Sequence, residues 1–370
     1  MRITSVEPIV LRLPVVTEAV DGTQDDLLIR IGTDEGVYGW GEVDSSPEIA
    51  RAVVEAPTSH GICHGLREVL LGRDPFDVEE LWDLMYQKSI YYGRQGAAIH
   101  AISGVDIALW DIRGKATGKP VHKLLGGSYR RKARAYASVL MPETPAEAEC
   151  MAHDLVERGF SAVKFGWGPL GREEGRDEEL IAAARQGAGC AELMIDVGQK
   201  YTLKRAIRTT RRIEKFRLTW MEEPLPPDDY EGYRELIRAV PINIAAGEAE
   251  SGRQSFKRLI EYCRIDIVQP DISRAGGLTE TRKIAVMAQD ANVRLVPHAF
   301  KTGILLAACL HLIATLPHTE LLEFALADSP LRRDLLQEPF TVVNGRVAVP
   351  EKPGLGIDVN PEVIAKYRVG

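Results

Sequence analysis

The 370-residue chain has no CxxC pair, no apolar run long enough to span a bilayer, no Gly/Ser linker and no low-complexity tract. Its five cysteines (Cys63, Cys150, Cys190, Cys263, Cys309) are odd in number and scattered, which excludes a disulfide framework and a cysteine-based zinc site. They suit reduced thiols. Positive charge is not in excess: the net charge is −7, so electrostatics give no reason to expect nucleic acid or a membrane surface as partner. The one basic run, Lys204 to Arg217, is interleaved with Ala206, Ile207 and Ile213 and reads as a solvated helix. Met1 leads directly into strand-like alternation with no signal-peptide pattern, so a cytoplasmic protein is expected.

What is present is a rhythm. Three carboxylates, Asp196, Glu222 and Glu248, each close a short apolar run, and both intervals are 26 residues. That interval fits a strand, a return helix and two short loops, the repeating unit of a parallel barrel. Successive parallel strands would aim the three anions at one open end, where they would repel unless a cation sat among them. Hard divalent ions such as Mg²⁺ take carboxylate oxygens and keep positions open for water or substrate. The spacing therefore predicts a metal site.

Residues 1–125 read as an α+β capping domain. Ile3 to Leu13, Leu27 to Ile31 and Val37 to Val43 look like strands, and Pro47 to Leu71, Val78 to Tyr92 and Gln95 to Thr117 look helical. Thr17 to Gln24 is polar and reads as a loop. Residues 126–327 alternate strand and helix, with strands expected at 134–140, 161–165, 192–196, 218–222, 242–247, 265–269, 293–297 and 320–323. Helices such as Pro145 to Arg158, Thr202 to Phe216 and Leu278 to Ala291 fall between them. The fold class is α/β, a (β/α)8-type, modified TIM barrel. Residues 328–370 form a tail, with short strands at Thr341 to Val343 and Arg346 to Val349, expected to pack back on the capping domain.

Polar residues recur at the expected strand ends: Lys164, Asp196, Glu222, Glu248, Asp271, His298 and Glu323, spaced 32, 26, 26, 23, 27 and 25 residues apart. A lone Asp there is ordinarily a helix cap, a lone His a satisfied interior group and a lone Lys a surface charge. Seven in phase point to a site, because barrel active sites lie at the C-terminal strand ends.

With Trp220-Met221-Glu222-Glu223-Pro224, Ala246-Gly247-Glu248, Val268-Gln269-Pro270-Asp271 and Val296-Pro297-His298, the chain resembles the enolase superfamily, mandelate racemase branch. Gly39-Trp40-Gly41-Glu42 and Asp106 to Gly127 resemble its capping module, and Pro353 to Gly356 its tail. The resemblance implies Mg²⁺ on Asp196, Glu222 and Glu248, a substrate carboxylate on the metal, and removal of the α-proton to an enediolate. It pairs His298, the base, with Asp271, and gives Glu323, if protonated, a hydrogen bond to donate. Glu223, on the opposite strand face from Glu222, is expected to be structural.

Two departures matter. Where racemases of the branch have Lys-x-Lys, this chain has Lys164-Phe165-Gly166, so a proton donor for the second face is missing. Elimination of a β-hydroxyl needs only one base, since His298 can also protonate the departing hydroxide. A dehydratase of a small-molecule polyhydroxy acid follows, with Lys164 left to orient or stabilise the carboxylate. The other departure is Gly198-Gln199, where relatives of the branch often carry Asn two residues after the aspartate. The loop at Thr17 to Gln24 has Glu18 and Asp21 and no cation, which favours an aldonate over an aldarate. Trp167, Arg94 and Tyr91 are candidate substrate contacts, with Tyr92 and Arg172 as further possibilities. Alternatives are a racemase or epimerase using Lys164 or water, a Schiff-base lyase at Lys164, and a metal-stabilised binding protein without turnover. An amidohydrolase is disfavoured, since no His-x-His lies on an early strand. Homo-oligomerisation is expected, because barrels with capping modules often pair.

Overall fold

The computed structural model describes residues 1–17 and 21–370; Glu18, and with it the middle of the expected Thr17 to Gln24 loop, lies outside the described residues. Strands β1 (Ile3–Arg12), β2 (Asp25–Thr33) and β3 (Tyr38–Val43) form an antiparallel sheet. It packs on the helix Ala97–Thr117, which is buried over most of its length. The approach is close: a Cβ on Gly41 would lie 1.8 Å from the carbonyl oxygen of Gly104, so the strand can cross the helix there only as glycine. The single helical stretch expected from Pro47 to Leu71 is instead two helices, Pro47–Glu55 and Leu66–Leu70. Ala56 precedes a proline and takes ψ 133, outside the helical well, as a residue before proline is pushed to do.

The barrel strands are β4 (Lys132–Leu140), β5 (Ala162–Gly166), β6 (Glu192–Asp196), β7 (Trp220–Glu222), β8 (Ile244–Ala246), β9 (Ile267–Val268), β10 (Arg294–Leu295) and β11 (Leu321–Ala325). They form one curled parallel ladder that runs from β10 through β4 to β11. Helices lie between successive strands, among them Pro145–Glu157, Leu203–Ile213 and Gly277–Asp290. After β11 the described chain makes two short helices, Pro330–Asp334 and Pro361–Tyr367, and no long return helix, so the barrel is the modified kind. Of the two tail strands expected, only β12 (Arg346–Ala348) forms, and it pairs antiparallel with β4 of the barrel rather than with the cap. The tail reaches the cap elsewhere, where Val369 N–H donates to Val10 at 2.9 Å and Val121 N–H to Gly354 at 2.9 Å. No described helix is long and apolar enough to cross a membrane.

The barrel interior is plugged by Tyr136, Ala162, Met194, Trp220, Ala245, Ile267, Val296 and Leu321, a buried cluster with one member from each strand or the residue just beyond it. Side chains alternate along a strand, so the next inward layer lies two residues on. That layer reads Ser138, Lys164, Asp196, Glu222, Gly247, Gln269, His298 and Glu323. An apolar floor thus carries a polar layer directly above it.

Candidate active site

Asp196 and Glu222 are aligned neighbours across β6 and β7, and Glu248 follows β8 by two residues. One carboxylate oxygen from each lies within 4.8 Å of the others. Glu222 is the best-held of the three. Its Oε1 receives Lys164 Nζ at 2.5 Å, and its Oε2 receives Trp220 Nε1 at 2.9 Å and Gln269 Nε2 at 2.8 Å. Asp196 Oδ1 accepts from Gly198 N–H at 2.9 Å. Burial, then the charges of Glu222 and Glu248, hold the Asp196 carboxyl well above the usual carboxylate range. Three buried acids in mutual repulsion are a donor set that fits one hard divalent cation.

Beside them, His298 Nδ1 lies 2.6 Å from Asp271 Oδ2, and Asp271 Oδ1 accepts from Ser273 N–H at 2.7 Å. The ring's Nε2 lies 3.2 Å from Glu248 Oε2 and 4.0 Å from Glu323 Oε2. Burial lowers the imidazole pKa, but Glu248, Glu323 and Asp271 outweigh it and raise it to about 10. A cation on Glu248 would cancel the strongest of those attractions and favour the neutral, basic ring.

Lys164 Nζ sits between Glu222 and Glu323, 2.9 Å from the latter. Burial opposes its charge, yet the two carboxylates prevail and raise its pKa well above the ordinary lysine value. Schiff-base chemistry needs a neutral amine, so this setting argues against the lyase alternative. Glu323 departs from expectation. Burial pushes its carboxyl up, but Lys164 and His298 together bring it down to about 2, so it is an ionised acceptor rather than a protonated donor. Its Oε2 accepts from Ala299 N–H at 2.9 Å.

These groups open into a cavity of about 310 Å³ whose lining includes Lys164, Trp167, Asp196, Glu248, His298 and Glu323. Trp167 is therefore where the sequence places it. Tyr91 and Arg94 are not. The turn after the helix Val78–Ser89 carries them outward, where Tyr91 is 71% exposed beside His60, and Arg94 lines a separate surface cleft with Tyr92 and Gln254. Arg172 is spent on Glu143 at the surface, 3.2 Å away.

Several site groups were not foreseen. Ser138 and Gln269 belong to the inward layer and are found by counting two residues past each floor residue. Asp44, at the end of β3, has no such signal, because the cap delivers it through space. Its Oδ2 lies 2.7 Å from Arg274 Nη2, and Arg274 Nη1 donates to the Glu248 carbonyl at 3.2 Å. The buried Lys301 ties the same seam, donating to the carbonyl oxygens of Gly22 at 2.5 Å and Asp25 at 2.9 Å. Glu223 is buried with φ 38 and accepts from Gln199 Nε2 at 2.6 Å.

Comparison with known proteins gives two family matches: "Mandelate racemase / muconate lactonizing enzyme, N-terminal domain" over residues 2–126 and "Enolase C-terminal domain-like" over residues 147–363. The D-galactarolactone cycloisomerase of Agrobacterium fabrum is 35% identical over 356 residues, covering 93% of this chain and 91% of its own. The arabinonate dehydratase of Saccharolobus solfataricus is 33% identical over 345 residues, covering 92% and 89%. Among solved structures, a racemase from Streptomyces coelicolor with bound magnesium superposes with a TM-score of 0.88 at 31% identity, covering 99% of this chain and all of its own.

Proposed function

Because the chain belongs to the mandelate racemase branch of the enolase superfamily, we propose that it is a Mg²⁺-dependent dehydratase of a sugar acid, an aldonate in preference to an aldarate. The observation that carries this reading is that one histidine–aspartate pair and one three-carboxylate cluster meet at a single cavity. Mg²⁺ held by Asp196, Glu222 and Glu248 would offset the second negative charge that forms when a carboxylate loses its α-proton. His298 Nε2 takes that proton, while Asp271 fixes the tautomer and stabilises the imidazolium. The Lys164 ammonium, held between Glu222 and Glu323, supplies one positive charge to the polar layer. As the bond from the β-carbon to oxygen breaks, the His298 imidazolium returns the proton to the departing hydroxide. Water leaves, His298 is neutral again, and the enol tautomerises to a 2-keto-3-deoxy acid.

Gly166 supports elimination over racemisation. It sits so close to Asp196 that a Cβ added to it would lie 3.1 Å from the Asp196 Cβ, and it offers no proton donor of its own. The cycloisomerase relative favours a second reading. If the leaving oxygen belongs to a ring, the same two proton transfers open the ring and give an isomer of unchanged mass. Incubating the protein and Mg²⁺ with a stereochemically complete set of aldonates, aldarates and their lactones, with 2-keto acid detection and mass spectrometry, separates these outcomes. A keto product lighter by one water (about 18 Da) supports dehydration, in which His298 protonates the departing hydroxide. A keto product of equal mass supports the ring-opening reading, and no keto product from any acid contradicts both.

A further inference from the structure

Backbone at and behind one side of the cavity is in an unusual state. Trp167 (φ 55), Gln199 (φ 65) and Glu223 (φ 38) are all non-glycine residues in the left-handed region, and Gly168 (φ 55) and Gly198 (φ 60) stand beside them. Such conformations are costly for a residue with a Cβ and persist where surrounding structure enforces them, commonly at ligand clamps. Here they are tied in series. Trp167 N–H donates to the Asp196 carbonyl at 2.9 Å, and Gln199 N–H to the Glu223 carbonyl at 2.7 Å.

The side chains explain the geometry. The indole of Trp167 lies over Gly198 so closely that a Cβ there would be 2.7 Å from ring atoms Cδ2 and Cε3. The glycine in place of a longer side chain therefore makes room for the tryptophan. Beside it, Gln199 spends an amide N–H on Glu223 Oε2 at 2.6 Å, and its amide oxygen has no partner among the described residues. Both side chains line the cavity.

We propose that Trp167 and Gln199 determine specificity for the far end of the substrate, the indole carrying its carbon chain and the Gln199 oxygen accepting from a neutral hydroxyl. An acceptor backed by the acid Glu223 disfavours a second carboxylate at that end. Neither nearby cation offsets this: Arg274 is committed to Asp44 and to the Glu248 carbonyl, and Lys200, 5.8 Å from the Trp167 ring, to the carbonyls of Gly168 and Leu170. This rests on the sugar-acid reading above and narrows it.

The test uses binding, so that turnover is not needed. In a His298→Asn background with Mg²⁺, calorimetry compares a hexonate with its analogue lacking one distal hydroxyl. The analogue is expected to bind about tenfold or more weakly, because a site that pairs a hydroxyl rejects the ligand lacking it. Gln199→Asn, which tolerates a left-handed backbone but falls short of the cavity, is expected to reduce that preference to about twofold or less. Trp167→Phe is expected to weaken both acids by a similar several-fold factor. An unchanged preference in the Gln199 variant, unchanged affinities in the Trp167 variant, or no binding of either acid overturns the proposal. Binding with the expected discrimination in a protein whose wild type yields no keto acid would instead overturn the dehydratase reading alone.

Discussion

At Glu323 and His298 burial and neighbouring charge pull in opposite directions, and charge wins at both. The spacing along the chain predicts that both stand at strand ends over one mouth, but spacing carries no information on protonation. It puts Glu323 near other acids; it does not show that Lys164 and His298 bracket it. Tyr91 and Arg94 fail for a related reason. Their place depends on the direction in which one turn leaves the helix Val78–Ser89, which residue chemistry does not encode. Two predictions belong to this scale. His298→Asn should cut turnover by at least about 10³-fold, within the range general-base removal produces, while calorimetry shows the Mg²⁺ affinity retained; unchanged turnover would refute the base. Gln269→Leu removes one of two donors from Glu222 Oε2. It should weaken Mg²⁺ by about 10- to 100-fold, the usual cost of losing a group that orients a metal ligand, and an unaltered binding isotherm would count against that role.

Elements explain which parts were legible. The eight barrel strands are readable because apolar runs alternate with helical segments and seven of the eight lead to a polar residue, although the pairing observed in β7 to β10 is shorter than the runs suggest. The cap–barrel seam is not, since it joins residues hundreds of positions apart. Lys301 is such a seam residue, buried with Asp26 and Asp44 about it at 3.9 and 3.7 Å. Lys301→Met strands two buried acids and should destabilise the protein by about 3–5 kcal/mol, read from denaturant midpoints; an unmoved midpoint would show the tether to be idle. Asp106 joins the cap helix to the barrel helix Gly277–Asp290 by accepting from Thr279 N–H at 2.9 Å. Burial raises its carboxyl to about 7. A folded-state value above the unfolded one means the unfolded chain holds fewer protons in between, so this group lowers stability as pH rises from about 4 to about 7. Wild type should therefore lose melting temperature relative to Asp106→Asn between about pH 5 and 8, by roughly 2 °C or more, and parallel curves would contradict the assignment.

On the scale of the whole molecule, the cap and the barrel make one site between them. The barrel supplies the floor, the carboxylates and the histidine. The cap supplies Asp44 and the Gly22 edge of the cavity, held down by Lys301. The proposed chemistry requires that a shared divalent cation make the α-proton of a sugar acid removable by His298. The direct measurement is proton NMR of a sugar acid in D₂O with the protein, with Mg²⁺ and then with EDTA. The α-proton signal is expected to disappear as a 2-keto-3-deoxy product grows in with Mg²⁺, and both changes are expected to stop with the chelator. An α-proton that persists for every acid in the presence of Mg²⁺, or one lost at the same rate after chelation, would contradict this chemistry.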